Sequence, residues 1–245
     1  MKAFFFIFTF ICNCIYAEKF ILMTTLYNEQ RETRYSEFLT CLDKNTENEF
    51  IKRIIILYEG NLGDFFYKKL ADVAFLNDKI AIQIIESRPS FAEFFYIANC
   101  SYKNEKIIIS NADIYFDNTI DLLTTRYLEG KFIALTRWDL DVNGQYRLKD
   151  RELPSTPSQD SWFFLSPIRD FFADIQIGIL GCDPSIAYYA FKAGLKVLNP
   201  SKAVCSYHVH TSNIRTYIDY DLQKYDNIHP FLFLKQIGLS KNRRV

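Results

Sequence analysis

Glycine and proline are scarce in this chain, at eight and seven among 245 residues, and no segment repeats. That excludes a collagen-like, low-complexity or solenoid protein. Charge of one sign is missing too, because 29 basic side chains meet 29 acidic ones. Without a basic footprint there is little to hold a nucleic acid, so no such partner is expected. Histidine is rarer still, at three residues, so two of them close together stand out. Of the six cysteines, Cys12 and Cys14 fall in the opening segment. The other four, Cys41, Cys100, Cys182 and Cys205, are too scattered for a zinc site. They can form two disulfides by any of three pairings, or remain free buried thiols.

No apolar run reaches the ~20 residues that a bilayer-spanning helix needs. The nearest is "MKAFFFIFTFICNCIYA", with Lys2, an apolar core and Ala17 at its end. It fits a cleavable secretory signal over 1–17, although Ile15 is larger than the usual small residue there. An uncleaved short anchor is the alternative. Either reading places the protein in the secretory pathway, extracytoplasmic or membrane-associated through its leader.

What the chain does have is apolar material, 49% hydrophobic and 17% aromatic. That suffices for one packed domain over 18–245. "KFILMTTLYNE", "RIIILYEG", "IAIQIIES" and "KIIISNADIYFD" each read as a strand, and the unbroken run of the last reads as buried on both faces. Helical stripes alternate with them: Tyr35, Phe38, Leu39 and Leu42; Phe66, Leu70, Val73 and Ala74; Phe91, Phe94, Phe95 and Ala98. Ser90 and Glu93 of "SFAE" form a capping box. A further helix is expected on Ile120, Leu123 and Tyr127. This alternation predicts βαβ units and a mainly parallel sheet flanked by helices.

The second half reads differently. "KFIALTRW" and "SWFFLSP" are strands, and the polar stretch from Asp139 to Ser158 reads as a long loop. "LGCDPSIAYYAFKAG" is a helix with Asp183 at its cap, Pro184 in its first turn and Gly194 at its exit. "LKVLNPSKAVCSYHVHTS" supplies two short strands, hence a smaller mixed sheet, and "IRTYIDYDLQKY" a closing helix.

Four groups at strand ends or helix starts can carry chemistry. Asn111, Asp113 and Asp117 can partner a metal–diphosphate, or serve as turn residues. Asp183 can act as a general base or as an ordinary cap. His208 and His210, two apart on a strand, can join a carboxylate around a metal, or be surface residues. Arg137 can meet phosphate and Asp160 sugar hydroxyls, while Trp138 and Trp162 can stack on a sugar or belong to the core.

The order "TTLYNE", "IIILYEG", "IIISNADIYFD", "LGCDPSIAYYAFKAGLKVLNPSKAVCSYHVH" resembles that of GT-A-fold (Rossmann-like) nucleotide-sugar glycosyltransferases. The set "NADIYFD…LTRW…SQDSWFF…GCD" with "HVHTS" is closer still to a branch that includes a viral capsid-glycosylating transferase domain. The resemblance implies a nucleoside-diphosphate-sugar donor and a glycan, protein or lipid acceptor. It implies Mn²⁺ or Mg²⁺ at Asp113 with His208 or His210, and an inverting transfer. Thr25, Tyr27, Glu29, Glu59, Arg88, Asn111, Ala112, Asp113 and Arg137 would place the donor. Asn111 stands where the family has its first Asp, and "CD" replaces the commoner "ED", so Asp183 and Asp160 both stand as the catalytic base. A binding module that kept the fold without the chemistry, and a metal-dependent hydrolase using Asp113, His208 and His210, are the alternatives.

Overall fold

The computed structural model describes residues 18–140, 144–148 and 159–210. The leader, the closing helix expected over 214–225 and part of the polar stretch lie outside the described residues. No helix among the described residues is long and apolar enough to cross a membrane.

The first half alternates as its sequence predicts: β1 (Phe20–Tyr27), α1 (Glu32–Glu47), β2 (Ile51–Glu59), α2 (Phe65–Phe75), β3 (Ile80–Ile85), α3 (Phe91–Ser101) and β4 (Lys106–Ser110). Ser90 caps α3 and Glu93 reaches back to the Ser90 amide at 2.6 Å. After β4 come β5 (Ile114–Phe116), α4 (Thr125–Leu128), β6 (Lys131–Thr136), β7 (Trp138–Leu140) and β8 (Tyr146–Leu148). The chain continues through β9 (Gln159–Leu165), α5 (Cys182–Lys192), β10 (Lys196–Leu198) and β11 (Ser206–His208).

Seven strands form the main sheet in the order β10-β6-β9-β4-β1-β2-β3. All its pairings are parallel except those of β9, which runs antiparallel between β4 and β6. The apolar runs of β1, β2 and β4 are unbroken because both faces are covered, whereas the edge strand β3 is buried only in part. On β4, Ile107 and Ile109 join the core under α3 and α5, whereas Ile108 joins the core under α1 and α2. Trp162 of β9 is fully buried, edge-on to Phe91 at 4.7 Å, so it belongs to the core and not to a sugar platform.

A second sheet, β5-β11-β7-β8, stands beside the first. Its β5 edge is closed by α1. Asn45 donates to Ile114 O (2.9 Å) and accepts from Phe116 N (3.1 Å), and Asn48 donates to Phe116 O (3.0 Å). Side-chain amides thus satisfy an edge that would otherwise seek another strand.

Three expectations need correction. The stretch opening at Asp139 is not all loop: β7 and β8 pair antiparallel within it. Strands of three residues are too short to show a period. The helix expected on Ile120, Leu123 and Tyr127 is split into a 3₁₀ turn (Asn118–Leu122) and the single turn of α4. Thr124 starts α4 anew by accepting from the Tyr127 amide at 3.2 Å. Finally, the cap of α5 is Gly181, at a φ of 84° that favours glycine, and Asp183 lies in the first turn.

Candidate active site

The carboxyl ends of β1, β2 and β4 lie side by side, with Tyr27 opposite Glu59 and Thr24 opposite Ser110. Ligands of open α/β sheets collect at such an end. Several of the expected donor-binding groups are engaged within the protein. Thr25 donates to Leu57 O at 3.0 Å. Buried Glu29 accepts from Tyr27 Oη (3.0 Å) and from Arg31 Nε (2.7 Å) and Nη2 (2.6 Å). Burial would raise the Glu29 pKa, but these bonds outweigh it and hold it at about 2. Arg88 follows β3, at the far edge of the sheet from β4. Its loop packs on the segment leading to α5, through Ile177 N to Pro89 O at 3.1 Å. Asn28 Oδ1 is buried without a hydrogen-bond partner.

Beyond β4, the backbone turns through Asn111 and half-buried Ala112 to Asp113, whose carbonyl accepts from Val209 N at 2.9 Å. That bond brings the end of β11 onto the tip of β4. Asp113 Oδ2 meets Arg34 Nη2 at 2.6 Å and His208 Nε2 at 3.2 Å. The other nitrogen of His208, Nδ1, meets Asp139 Oδ1 at 2.7 Å. Burial raises the proton affinity of Asp113, yet His208 and Arg34 outweigh it and hold the carboxyl far below the usual range. Burial opposes a charged His208, but the Asp113 and Asp139 carboxylates overcome it and lift the imidazole to about 9. His210 lies past the end of β11 with its ring 5.3 Å from that of His208. Burial, with Arg34 and His208 nearby, pushes His210 down and favours its neutral form.

The polar run continues from Asp139 to the start of β9. Arg137 joins Asp139 (Nε to Oδ1, 2.9 Å) to Asp160 (Nη1 to Oδ1, 3.0 Å). Asn111 donates its side-chain amide to Asp160 Oδ1 at 2.8 Å and its backbone amide to Asp160 O at 3.0 Å. Arg137 and Asn111 are thus tied to Asp160. One residue earlier, the Gln159 amide donates to Asp183 Oδ2 at 3.3 Å, and the Cys182 thiol donates to Asp183 Oδ1 at 3.0 Å. Burial first, and then the Asp160 charge, raises the proton affinity of Asp183 well above the usual carboxylate range. Asp113 and Asp183 therefore belong to one contiguous polar site.

Other candidates take structural places. Asp117 caps the 3₁₀ turn through Thr119 N (3.0 Å) and accepts from Tyr207 Oη (2.9 Å), which is the turn reading. Trp138 donates to Ser201 O at 2.9 Å. All four described cysteines are free thiols.

Arg34, Glu37, Asp139 and Cys182 were not visible as site residues in the sequence. For α1 a signal existed: Arg34, Glu37, Cys41 and Asn45 recur at helical spacing beside the apolar stripe, and all are buried. Asp139 sat in what reads as loop.

No protein-family model matches the chain, and no curated protein matches it in sequence. Solved structures do match in shape. GalNAc-T7 with UDP, GalNAc and Mn²⁺ superposes with a TM-score of 0.54 at 11% identity, over 90% of this chain and 48% of that one. Mannosyltransferase PcManGT from Pyrobaculum calidifontis, in complex with GDP-Man and Mn²⁺, gives 0.54 at 13%, over 83% and 59%. The fold is GT-A-like. This chain spans about half the length of GalNAc-T7 and under two thirds of PcManGT.

The donor set of the GT-A-like site suits a divalent cation. Asp113, His208 and His210 each present a ligand atom within 4.8 Å of the others. Two imidazoles and one carboxylate are a mixed nitrogen and oxygen set that a divalent metal can share. The contact of His208 Nδ1 with Asp139 is the outer bond that orients a ligating imidazole.

Proposed function

We propose that this protein is a glycosyltransferase that moves a sugar from a nucleoside diphosphate to an acceptor hydroxyl, with inversion. One observation carries the reading: a cation-rich carboxylate, Asp113, and a carboxylate of raised basicity, Asp183, lie in one site at the ligand end of a GT-A-like sheet. Environments that push two titratable groups apart assign them different tasks.

Asp113, His208 and His210 would hold the divalent ion, Mn²⁺ or Mg²⁺. When bound, it supplies positive charge to a diphosphate leaving group. Asp139 fixes the ring of His208. Asp183, in its ionised form, accepts the acceptor's hydroxyl proton as the acceptor oxygen bonds to the anomeric carbon. The bond from that carbon to the phosphate oxygen breaks, and its electron pair leaves with the diphosphate. Gln159 N and Cys182 orient the Asp183 oxygens, and Asp160 keeps Asp183 basic. Asp160 as the base is the competing assignment. Thr25, Tyr27, Glu29 and Glu59 shape the nucleotide end, with Arg88 and Arg137 as nearby cations.

The acceptor is a glycan, protein or lipid met in the secretory pathway or at a membrane, where the apolar leader over 1–17 directs the chain. The motif set supports a kinship with the branch that includes the viral capsid-glycosylating domain. A metal-dependent hydrolase is the second reading, favoured by the gathering of Asp113, His208 and His210.

Incubation with UDP-, GDP-, CDP- and dTDP-sugars, with and without Mn²⁺, separates these readings. Nucleoside diphosphate should be released from one donor class, faster with an acceptor, and Asp183→Asn should stop transfer. Cleavage of simple phosphoesters or glycosides with no donor turned over would establish the hydrolase instead.

A further inference from the structure

Arg34 has no part in the roles above, yet it makes the closest contact to Asp113. Its Nη2 lies 2.6 Å from Asp113 Oδ2, the oxygen that also faces His208 Nε2. Its Nη1 lies 2.6 Å from Glu37 Oε2, and its guanidinium sits 4.6 Å over the Phe38 ring. The remaining nitrogen, Nε, is buried without a hydrogen-bond partner. The guanidinium is thus shared between two carboxylates, with its Nε unmet.

We propose that Arg34 is a resident counter-cation of the metal site, and that a divalent ion must displace it from Asp113 Oδ2, so that Arg34 sets the metal affinity. This rests on the metal role proposed for Asp113, His208 and His210. A doubly charged ion at Oδ2 repels the guanidinium already there strongly, because little water screens the charges. Glu37, from the next turn of α1, offers the displaced guanidinium an anion that it already touches. An unmet N–H makes the resting position less than fully satisfied, which eases its release. Without metal, Arg34 keeps Asp113 neutralised and the site folded. With metal bound, it stays on Glu37.

The test is Mn²⁺ titration of the full chain, following free Mn²⁺ by electron paramagnetic resonance, with melting curves alongside. Arg34→Gln should bind Mn²⁺ at least tenfold more tightly than wild type, and Mn²⁺ should raise its melting temperature by more. Glu37→Gln leaves Arg34 only Asp113 to hold, and should bind several-fold more weakly. A folded Arg34→Gln with unchanged or weaker affinity overturns the inference. Should Arg34→Gln fail to fold, Glu37→Gln decides, and unchanged or tighter binding there overturns it. Saturable wild-type binding with unaltered variants sinks this inference alone. Absence of Mn²⁺ binding in wild type sinks it together with the metal site.

Discussion

Asp113 and Asp183 occupy the two ends of one polar run, and their surroundings push them in opposite directions. Asp113 is enclosed by Arg34 and His208, so its negative charge is held firmly. Asp183 is buried beside the charge of Asp160, so it takes up a proton readily although a thiol and a backbone amide donate to it. Both are carboxylates near the carboxyl end of the same sheet, and their neighbours alone separate the firmly anionic one from the one that binds a proton readily. Arg137 lies between them and joins Asp139 of the first end to Asp160 of the second.

The contrast breaks most visibly at its cationic end. Asp113→Ala leaves Arg34 buried with Glu37 alone, a loss expected to cost about 3–5 kcal/mol in urea unfolding. The variant should also lose Mn²⁺-dependent nucleotide binding by calorimetry. A variant that unfolds and binds like wild type would show that Asp113 anchors nothing.

At the other end, Asp183→Asn should lower turnover by roughly 10²–10⁴-fold. Its donor affinity should stay within about twofold of wild type. If Asp160→Asn abolishes transfer while Asp183→Asn spares it, the base has been assigned to the wrong carboxylate.

A pH series sharpens the comparison. In the folded protein Asp183 keeps a proton that the unfolded chain has already released above about pH 4. Its contribution to stability is therefore complete below that pH and is lost as pH rises through its raised folded value. Asp183→Asn should flatten this fall in melting temperature. Removing the Asp160 charge with Asp160→Asn should shift the rise of turnover with pH downward, by on the order of one unit. An unmoved profile would mean that Asp160 does not tune Asp183.

The smallest effect is expected away from both ends. Ser90→Ala removes the α3 cap and should cost about 1 kcal/mol of stability, with turnover unchanged. A large loss of activity there would mean that the loop carrying Arg88 matters more than its place at the sheet edge suggests.

Much of this architecture was legible because burial on both faces writes itself into the chain as unbroken runs such as Ile107–Ile109. The capping box at Ser90 and Glu93 was equally readable, being purely local. The short pair β7 and β8 was not, since three residues give no period and their pairing depends on distant β11. The candidate site was legible in residues at strand ends and one helix start: Asn111, Asp113, Asp160, Asp183 and the two histidines. Their partners were not. Arg34 meets Asp113 across 79 positions of sequence, and His208 meets Asp139 across 69, so only the folded chain reveals which charge neutralises which.

Thermal-shift measurement with UDP, GDP, CDP and dTDP, each with and without Mn²⁺, tests the central claim most directly. One nucleotide should raise the melting temperature with Mn²⁺ present and not without it, by the linkage of ligand binding to stability, and Asp113→Ala should abolish that rise. Stabilisation by no nucleotide under any of these conditions would contradict the account.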